Sequence, residues 1–192
     1  VNNLDPSLSI AQHMSLVGGE PLVNKTTIKI LEQCVDRNYA PNMMLQIITN
    51  LSVINGKIIS LLENFKWPML CISYDHIDPV KFNFIRYPAD YQTFTDNLNT
   101  LMEYKHIEKK LSTTWGIFNI FDFEEIFMEW EKVSHRDTSK PFIVNHGLVY
   151  YPNYFSLRYL EKEQKEEIVE RTNNFLDRNK DLLLFKNNPW FV

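Results

Sequence analysis

His13-Met14-Ser15-Leu16-Val17-Gly18-Gly19-Glu20-Pro21-Leu22-Val23-Asn24-Lys25 carries the pattern from which the fold is read. A short, mostly apolar run stops at a glycine pair, which fits a buried strand over 13–17. A helix signal follows at once: Asn24 suits an N-cap, and Ile28, Leu31 and Val35 recur at helical spacing. The same alternation returns along the chain. Apolar runs at 43–48, 69–73, 111–118 and 142–151 read as further strands. Between them, 54–65 has helical periodicity and is punctuated by Pro68. Asp90 caps a helix with the stripe Tyr91, Phe94, Leu98 and Leu101, and Asp122 caps another that runs through Trp130. Residues 160–178 form an amphipathic helix with Ile168, Thr172, Phe175 and Leu176 facing inward. The stretch containing Asp78-Pro79 and Tyr87-Pro88 reads as a loop. Strand alternating with helix in this way indicates βαβ units, so the fold class is α/β with a parallel sheet. Five strands are too few to close an eight-stranded barrel, which leaves an open sheet or a partial (β/α) barrel. Residues 1–12 read as a connector, 13–160 as the core, and 161–192 as a C-terminal helix and tail whose apolar end docks on the rest.

Composition narrows the function classes. The 192 residues suit one domain, on a prior of about 150 residues each, and suffice for a core without disulfide or metal staples. Hydrophobic residues at 44% and charged residues at 23% exclude a disordered chain. Twenty basic against 24 acidic residues give a net charge of −4, and there is no Lys/Arg run, so no nucleic-acid partner is expected. The 161–171 charge run reads as a solvated helix face. No apolar stretch approaches the roughly 18–20 residues that span a bilayer. The opening Val1-Asn2-Asn3-Leu4-Asp5-Pro6 lacks a signal-peptide pattern, so a cytoplasmic address without a membrane partner is the expectation. Cys34 and Cys71 lie in apolar patterns and read as small buried hydrophobes, with no metal site in this chain.

In parallel α/β folds the ligand lies at the carboxyl ends of the strands. Those ends present Gly18-Gly19-Glu20-Pro21, Thr49-Asn50, Ser73-Tyr74-Asp75, and Thr113-Thr114 with Asn119. The glycine pair permits positive φ or close approach of a ligand to the backbone. Glu20 would repel a phosphate, so the turn suits a cationic group such as an ammonium; a tight turn with a solvated Glu is the plainer alternative. Asp75 after Ser73 suits the hydroxyls of a ribose-like group, or else caps a turn. Thr49-Asn50 alone reads as an ordinary turn.

Taken in order, these strand ends resemble the core of the radical S-adenosylmethionine superfamily. Leu16-Val17-Gly18-Gly19-Glu20-Pro21-Leu22 looks like its signature turn, with Ile48-Thr49-Asn50-Leu51-Ser52 and Ile72-Ser73-Tyr74-Asp75 resembling the next two strand ends. Phe84-Ile85-Arg86-Tyr87-Pro88-Ala89-Asp90-Tyr91, then Asn97-Leu98, resembles the twitch-domain-containing branch. Pro152-Asn153-Tyr154-Phe155-Ser156-Leu157-Arg158-Tyr159-Leu160 with Lys165 resembles its tail. The resemblance covers roughly residues 12–170.

The resemblance implies binding of S-adenosylmethionine against a 4Fe-4S cluster and reductive cleavage to a 5′-deoxyadenosyl radical, which abstracts hydrogen from a substrate; a peptide or protein side chain is the analogy. It implies that Gly18, Gly19 and Glu20 hold the methionine amino group, that Ser73 and Asp75 lie near the ribose, and that Thr49 and Asn50 line the same pocket. Arg86 becomes a candidate for the methionine carboxylate, because a guanidinium grips a carboxylate bidentately. No catalytic residue is assigned. The cluster's CxxxCxxC motif is not in this chain, so the resemblance implies a partial barrel incomplete at its N-terminus, with the ligands expected upstream and the chain alone expected to be inactive. His76 stands where the family usually has Gly. The rival is a non-catalytic binding module on the same core, recognising a peptide or a nucleoside. A third reading, a metal hydrolase using His76, Asp75 and Asp78, has no companion His at ligand spacing.

Overall fold

The computed structural model describes residues 4–137 and 143–188. In chain order the elements are α1 (Asp5–Leu8), β1 (His13–Leu16), α2 (Lys25–Asp36), β2 (Met44–Thr49), α3 (Gly56–Glu63), β3 (Trp67–Ser73), α4 (Pro79–Ile85), α5 (Tyr91–Met102), β4 (Glu108–Trp115), α6 (Phe123–Ser134), β5 (Ile143–Leu148), α7 (Lys162–Asn179) and α8 (Leu183–Asn187). The strands form one open sheet in the order β1-β2-β3-β4-β5. β1 pairs with β2 in parallel, His13 opposite Met44, and β2 with β3, Met44 opposite Trp67. The fold class is therefore α/β with an open five-stranded parallel sheet. The chain divides into two compact units, Val1–Ser73 with Ala89–Lys110, and Tyr74–Pro88 with Leu111–Val192. The expected apolar end at Trp190-Phe191-Val192 and the strand start at Phe142 lie outside the described residues.

In the first unit, local signals set the helix ends. Asn24 Oδ1 accepts from Thr26 N–H at 2.8 Å, Asn55 Oδ1 from Ile58 N–H at 3.0 Å, and Asp90 Oδ2 from Thr93 N–H at 2.8 Å. Each bond satisfies a donor that the first helical turn leaves open. Leu45 and Ile47 of β2, Leu31 and Cys34 of α2, Ile58, Ile59 and Leu62 of α3, and Phe94, Leu98 and Leu101 of α5 are buried. Each fully buried apolar side chain of this size contributes about 1.5–3 kcal/mol before entropy is counted. The expectation of a buried first strand fails. β1 alternates exposed and half-buried residues, and Val17 beyond it is 63% exposed, because as the first strand in the sheet order it has a neighbour on one side only.

Three further expectations change. The loop expected around Asp78-Pro79 contains α4: Asp78 Oδ1 accepts from Lys81 N–H at 2.8 Å and Pro79 sits at the first helical position, where its missing N–H and set φ favour the helix. β4 begins three residues earlier than 111, at Glu108, since the polar start is paired inside: Trp67 Nε1–H donates to Glu108 and Lys109 Nζ donates to the Tyr104 carbonyl at 2.6 Å. It also stops at Trp115, before Phe118. Asp122 precedes α6 but makes no cap bond; its carboxylate is held by His76 and Lys81 instead.

The second unit has an aromatic core. Phe127 contacts Phe123, Trp130, Phe175 and Phe185, with ring centroids 5.1–6.4 Å apart. On α7, Phe175 is the buried member of the expected inward stripe, while Ile168, Thr172 and Leu176 are half-buried. The docking expected for the tail holds for α8: Glu131 of α6 accepts from Leu183 N–H at 2.9 Å and Leu184 N–H at 2.8 Å. Asn188 Oδ1 accepts from Val144 N–H of β5 at 3.0 Å. No helix among the described residues is long and apolar enough to cross a membrane.

Candidate functional site

The glycine pair after β1 adopts φ of +93° at Gly18 and +55° at Gly19, the left-handed region that a side chain disfavours. The turn delivers Glu20 to the end of β2. Glu20 Oε1 accepts from the Thr49 hydroxyl at 2.7 Å and Leu22 N–H at 3.1 Å, and Oε2 accepts from Asn50 N–H at 2.7 Å. So the structure brings together Gly18, Gly19, Glu20, Thr49 and Asn50. Thr49 Oγ1 in turn accepts from Leu51 N–H at 2.9 Å. Leu51 is buried at φ +56°, a conformation rare for a bulky side chain, and its carbonyl accepts from Asn97 Nδ2 at 2.8 Å. Strain of this kind concentrates at functional sites. Neither Leu51 nor its tie to Asn97 could be read from the sequence, because the two are 46 positions apart. Ser73 is buried at the end of β3, in the same unit.

Asp75 and Arg86 meet in the second unit. Arg86 Nη2 lies 2.5 Å from Asp75 Oδ2, and Asp75 Oδ1 accepts from Thr114 N–H at 2.8 Å. The Asp75 side chain is 3% exposed and that of Arg86 24%. Burial pushes the Asp75 carboxyl up, while the Arg86 charge and the Thr114 N–H oppose it. Arg86 Nε is buried with no hydrogen-bond partner among the described residues.

The pair borders a cavity of about 350 Å³. Phe84, Phe118 and Phe155 form one wall, packed edge to face with centroids 5.1 and 4.8 Å apart. The polar side holds Asp75, Arg86, Thr114 and Asn119. Asn119 is buried and fully engaged: Oδ1 accepts from Gly116 N–H at 2.8 Å, and Nδ2 donates to the carbonyls of Asp75 and Thr114, both at 3.1 Å. It fixes the end of β4 against the residue that follows Tyr74. Gly116 is required by close approach, since a Cβ there would meet the Phe155 carbonyl at 2.9 Å. The three phenylalanines and Gly116 escaped sequence reasoning. The signal for Phe84 was available in Asp78-Pro79, a helix start that places Phe84 and Arg86 at one helix end.

His76 belongs to a different cluster. Nδ1 accepts from Asp78 N–H at 2.9 Å, so Nε2 carries the proton in the neutral ring and donates to Asp122 at 3.0 Å. Lys81 Nζ reaches the same Asp122 oxygen at 2.5 Å. Burial works to raise the Asp122 carboxyl, but the bonds from Lys81 and His76 prevail and hold it below its usual value. With His76, Asp78 and Asp75 each engaged elsewhere, the metal-hydrolase trio does not assemble, and no group of metal-ligating side chains occurs among the described residues. Cys34 and Cys71 are buried on separate elements, and burial raises both thiols. The residues present do not fit an iron–sulfur cluster.

Among solved structures, three of SuiB from Streptococcus suis are similar to this chain: alone, bound to S-adenosylmethionine, and bound to precursor peptide SuiA. Their TM-scores are 0.59, 0.59 and 0.61, each at 14% identity, over 88%, 87% and 92% of this chain. The fold is shared. A domain of pyruvate-formate lyase-activating enzyme from Bacteroides vulgatus is also similar, with TM-score 0.52 and 13% identity over 84% of this chain and 93% of that one. The chain spans 37–40% of the length of SuiB. No family model matches the sequence, and no curated protein matches it.

Proposed function

We propose that this chain is the S-adenosylmethionine-binding part of a radical S-adenosylmethionine enzyme of the twitch-domain-containing branch, whose cluster is held by cysteines outside this sequence. The observation that carries the reading is the cavity of the second unit, where a wall of Phe84, Phe118 and Phe155 faces Asp75, Thr114 and Asn119. An aromatic wall opposite a carboxylate suits a nucleoside, with the base on the phenyl faces and the ribose hydroxyls donating to Asp75. The volume, about 350 Å³, lies in the range of small-ligand pockets. On the resemblance alone, Gly18, Gly19 and Glu20 serve the methionine ammonium, Thr49 and Asn50 line the same pocket, Ser73 lies with Asp75 near the ribose, and Arg86 serves the carboxylate. Supporting the first of these, Glu20 is an acceptor held in place by three donors. A 4Fe-4S cluster, when bound by the family, supplies the electron for cleavage; the residues here do not hold one, and no step through it is derived. The partition at residues 12 and 160, the cytoplasmic address and a peptide or protein substrate belong to the same proposal. SuiB, which shares the fold, has been solved with a precursor peptide, which supports the last.

One observation favours the rival. Cys34 and Cys71 are buried on separate elements and do not fit a cluster, as in a core that recognises a nucleoside or a peptide without catalysis. Titration calorimetry separates the readings when combined with anaerobic iron and sulfide loading of the gene's full-length product. S-adenosylmethionine binding lost in Asp75→Ala, together with a 4Fe-4S absorption band, supports the enzyme. Binding without the band supports the module. Affinity unchanged in both Glu20→Ala and Asp75→Ala overturns the site.

A further inference from the structure

The second unit holds another cavity, of about 290 Å³, on the opposite face of the sheet. Thr114 lines the cavity beside Asp75, whereas Trp115, the next residue of β4, lines this one, and successive strand residues point to opposite faces. Trp115, Phe127 and Phe175 form its inner wall. Towards solvent it is bordered by His146 of β5 and by the half-buried Thr172 and Leu176, one turn apart on α7. Two of these rings act as one surface. Trp115 Nε1–H donates to His146 Nδ1 at 2.9 Å, with the ring planes 19° apart. An indole N–H and an imidazole lone pair each lie in the plane of their own ring, so this bond joins the rings edge to edge into a nearly flat plate. Phe127 runs at 11° to Trp115 and 29° to His146. The bond also occupies the indole N–H and Nδ1, and no charged side chain lines the cavity among the described residues. Burial lowers the His146 pKa to about 4, so the ring is neutral at physiological pH.

We propose that this cavity is a binding site for a small, uncharged, flat aromatic molecule, which lies against the Trp115–His146 plate. The chemistry of the wall selects that class. Water inside would meet mainly ring faces, while a well-held water needs roughly two to four polar partners. A charged ligand would give up its hydration and find no counter-charge. A flat ring matches the plate over its whole face, and aromatic pairs gain from such offset stacking beyond the area they bury. Benzene occupies an apolar cavity of roughly 150 Å³. The larger volume here, about 290 Å³, admits a fused pair of rings. The site is separate from the S-adenosylmethionine reading and does not depend on it.

The test is calorimetry on the full chain at neutral pH with indole, cyclooctanol and indole-3-carboxylate. The first is flat and uncharged, the second uncharged but not flat, and the third flat but anionic. Indole should bind the wild type at least tenfold more tightly than either of the others. Thr172→Phe and Leu176→Trp each place a ring in the cavity from α7 and should weaken indole binding at least tenfold while the thermal unfolding midpoint holds. Both variants are measured, so that one that fails to fold leaves the other to decide. Absence of indole binding, equal binding of the three probes, or indole affinity unchanged in the filled variants overturns the proposal. So does binding that appears only in a chain shortened after Asn188, which would assign the cavity to the chain's own Trp190-Phe191.

Discussion

Several positions show how single residues govern this protein. At Gly116, added Cβ would press on the Phe155 carbonyl at 2.9 Å and on Val149 Cγ2 at 3.0 Å, and a backbone atom cannot swing away as a side-chain tip can. Gly116→Ala should destabilise by about 1–3 kcal/mol and distort the cavity, read as a lower denaturation midpoint. At His146, Nδ1 accepts from Trp115 Nε1–H at 2.9 Å, and the ring stacks on Trp115 and Phe127. Burial lowers its pKa from 6.5 to about 4, although the residue keeps an exposed face. Protonating Nδ1 also removes the acceptor that the indole uses. Between those two values the unfolded chain binds the proton and the folded one does not, so stability rises with pH across the window. The contribution is complete above pH 6.5 and is lost as pH falls towards 4. Thermal unfolding between these limits should show that slope in the wild type and a shallower one in His146→Gln. The left-handed Gly18-Gly19 turn was open to inspection in the sequence, since adjacent glycines are what such φ values select. Leu51 at φ +56° was not, because nothing local favours a leucine there; the Thr49 and Asn97 bonds impose it.

Elements were recovered where one element supplies its own signal. Asn24 and Asp90 cap helices with bonds confined to three residues. α4 was missed although Asp78 and Pro79 announce it, since prolines at both ends resemble loop punctuation. β4 was displaced because Glu108 and Lys109 look like surface residues until their partners on other elements are known. α8 illustrates an element that another one holds: both amides at its start are satisfied by Glu131, 52 and 53 positions earlier. Glu131→Ala should cost about 1–3 kcal/mol, because it leaves two donors unsatisfied. Hydrogen exchange at Leu183 and Leu184 should accelerate while the amides of α2 stay protected; equal acceleration in both would show global unfolding instead.

For the protein as a folded entity, ligand linkage gives the broadest check. Anything that binds the native state alone stabilises it by mass action, about 2.7 kcal/mol at a hundredfold excess over Kd. S-adenosylhomocysteine should therefore raise the unfolding midpoint of the wild type, and Asp75→Ala should abolish the rise. An unchanged midpoint in the wild type would sink the proposed ligand. The two compact units draw on separate parts of the chain, with 89–110 returning to the first unit after 74–88 has entered the second. No composition shift marks those crossings, which is why the sequence suggested one continuous core.

The amino-acid order alone settled the α/β class, the five strands, the helix caps at Asn24 and Asp90 and the tight turn at the Gly18-Gly19 pair. Those features depend on periodicity, capping and φ preference, which act within a few residues. Only the tertiary structure decided that Glu20 is held by Thr49 and Asn50, that Asp75 faces Arg86, that Asp122 serves His76 rather than its own helix, and that three phenylalanines wall one cavity. A carboxylate leaving water must find donors, and which donors come within 3 Å is set by packing between elements far apart in sequence.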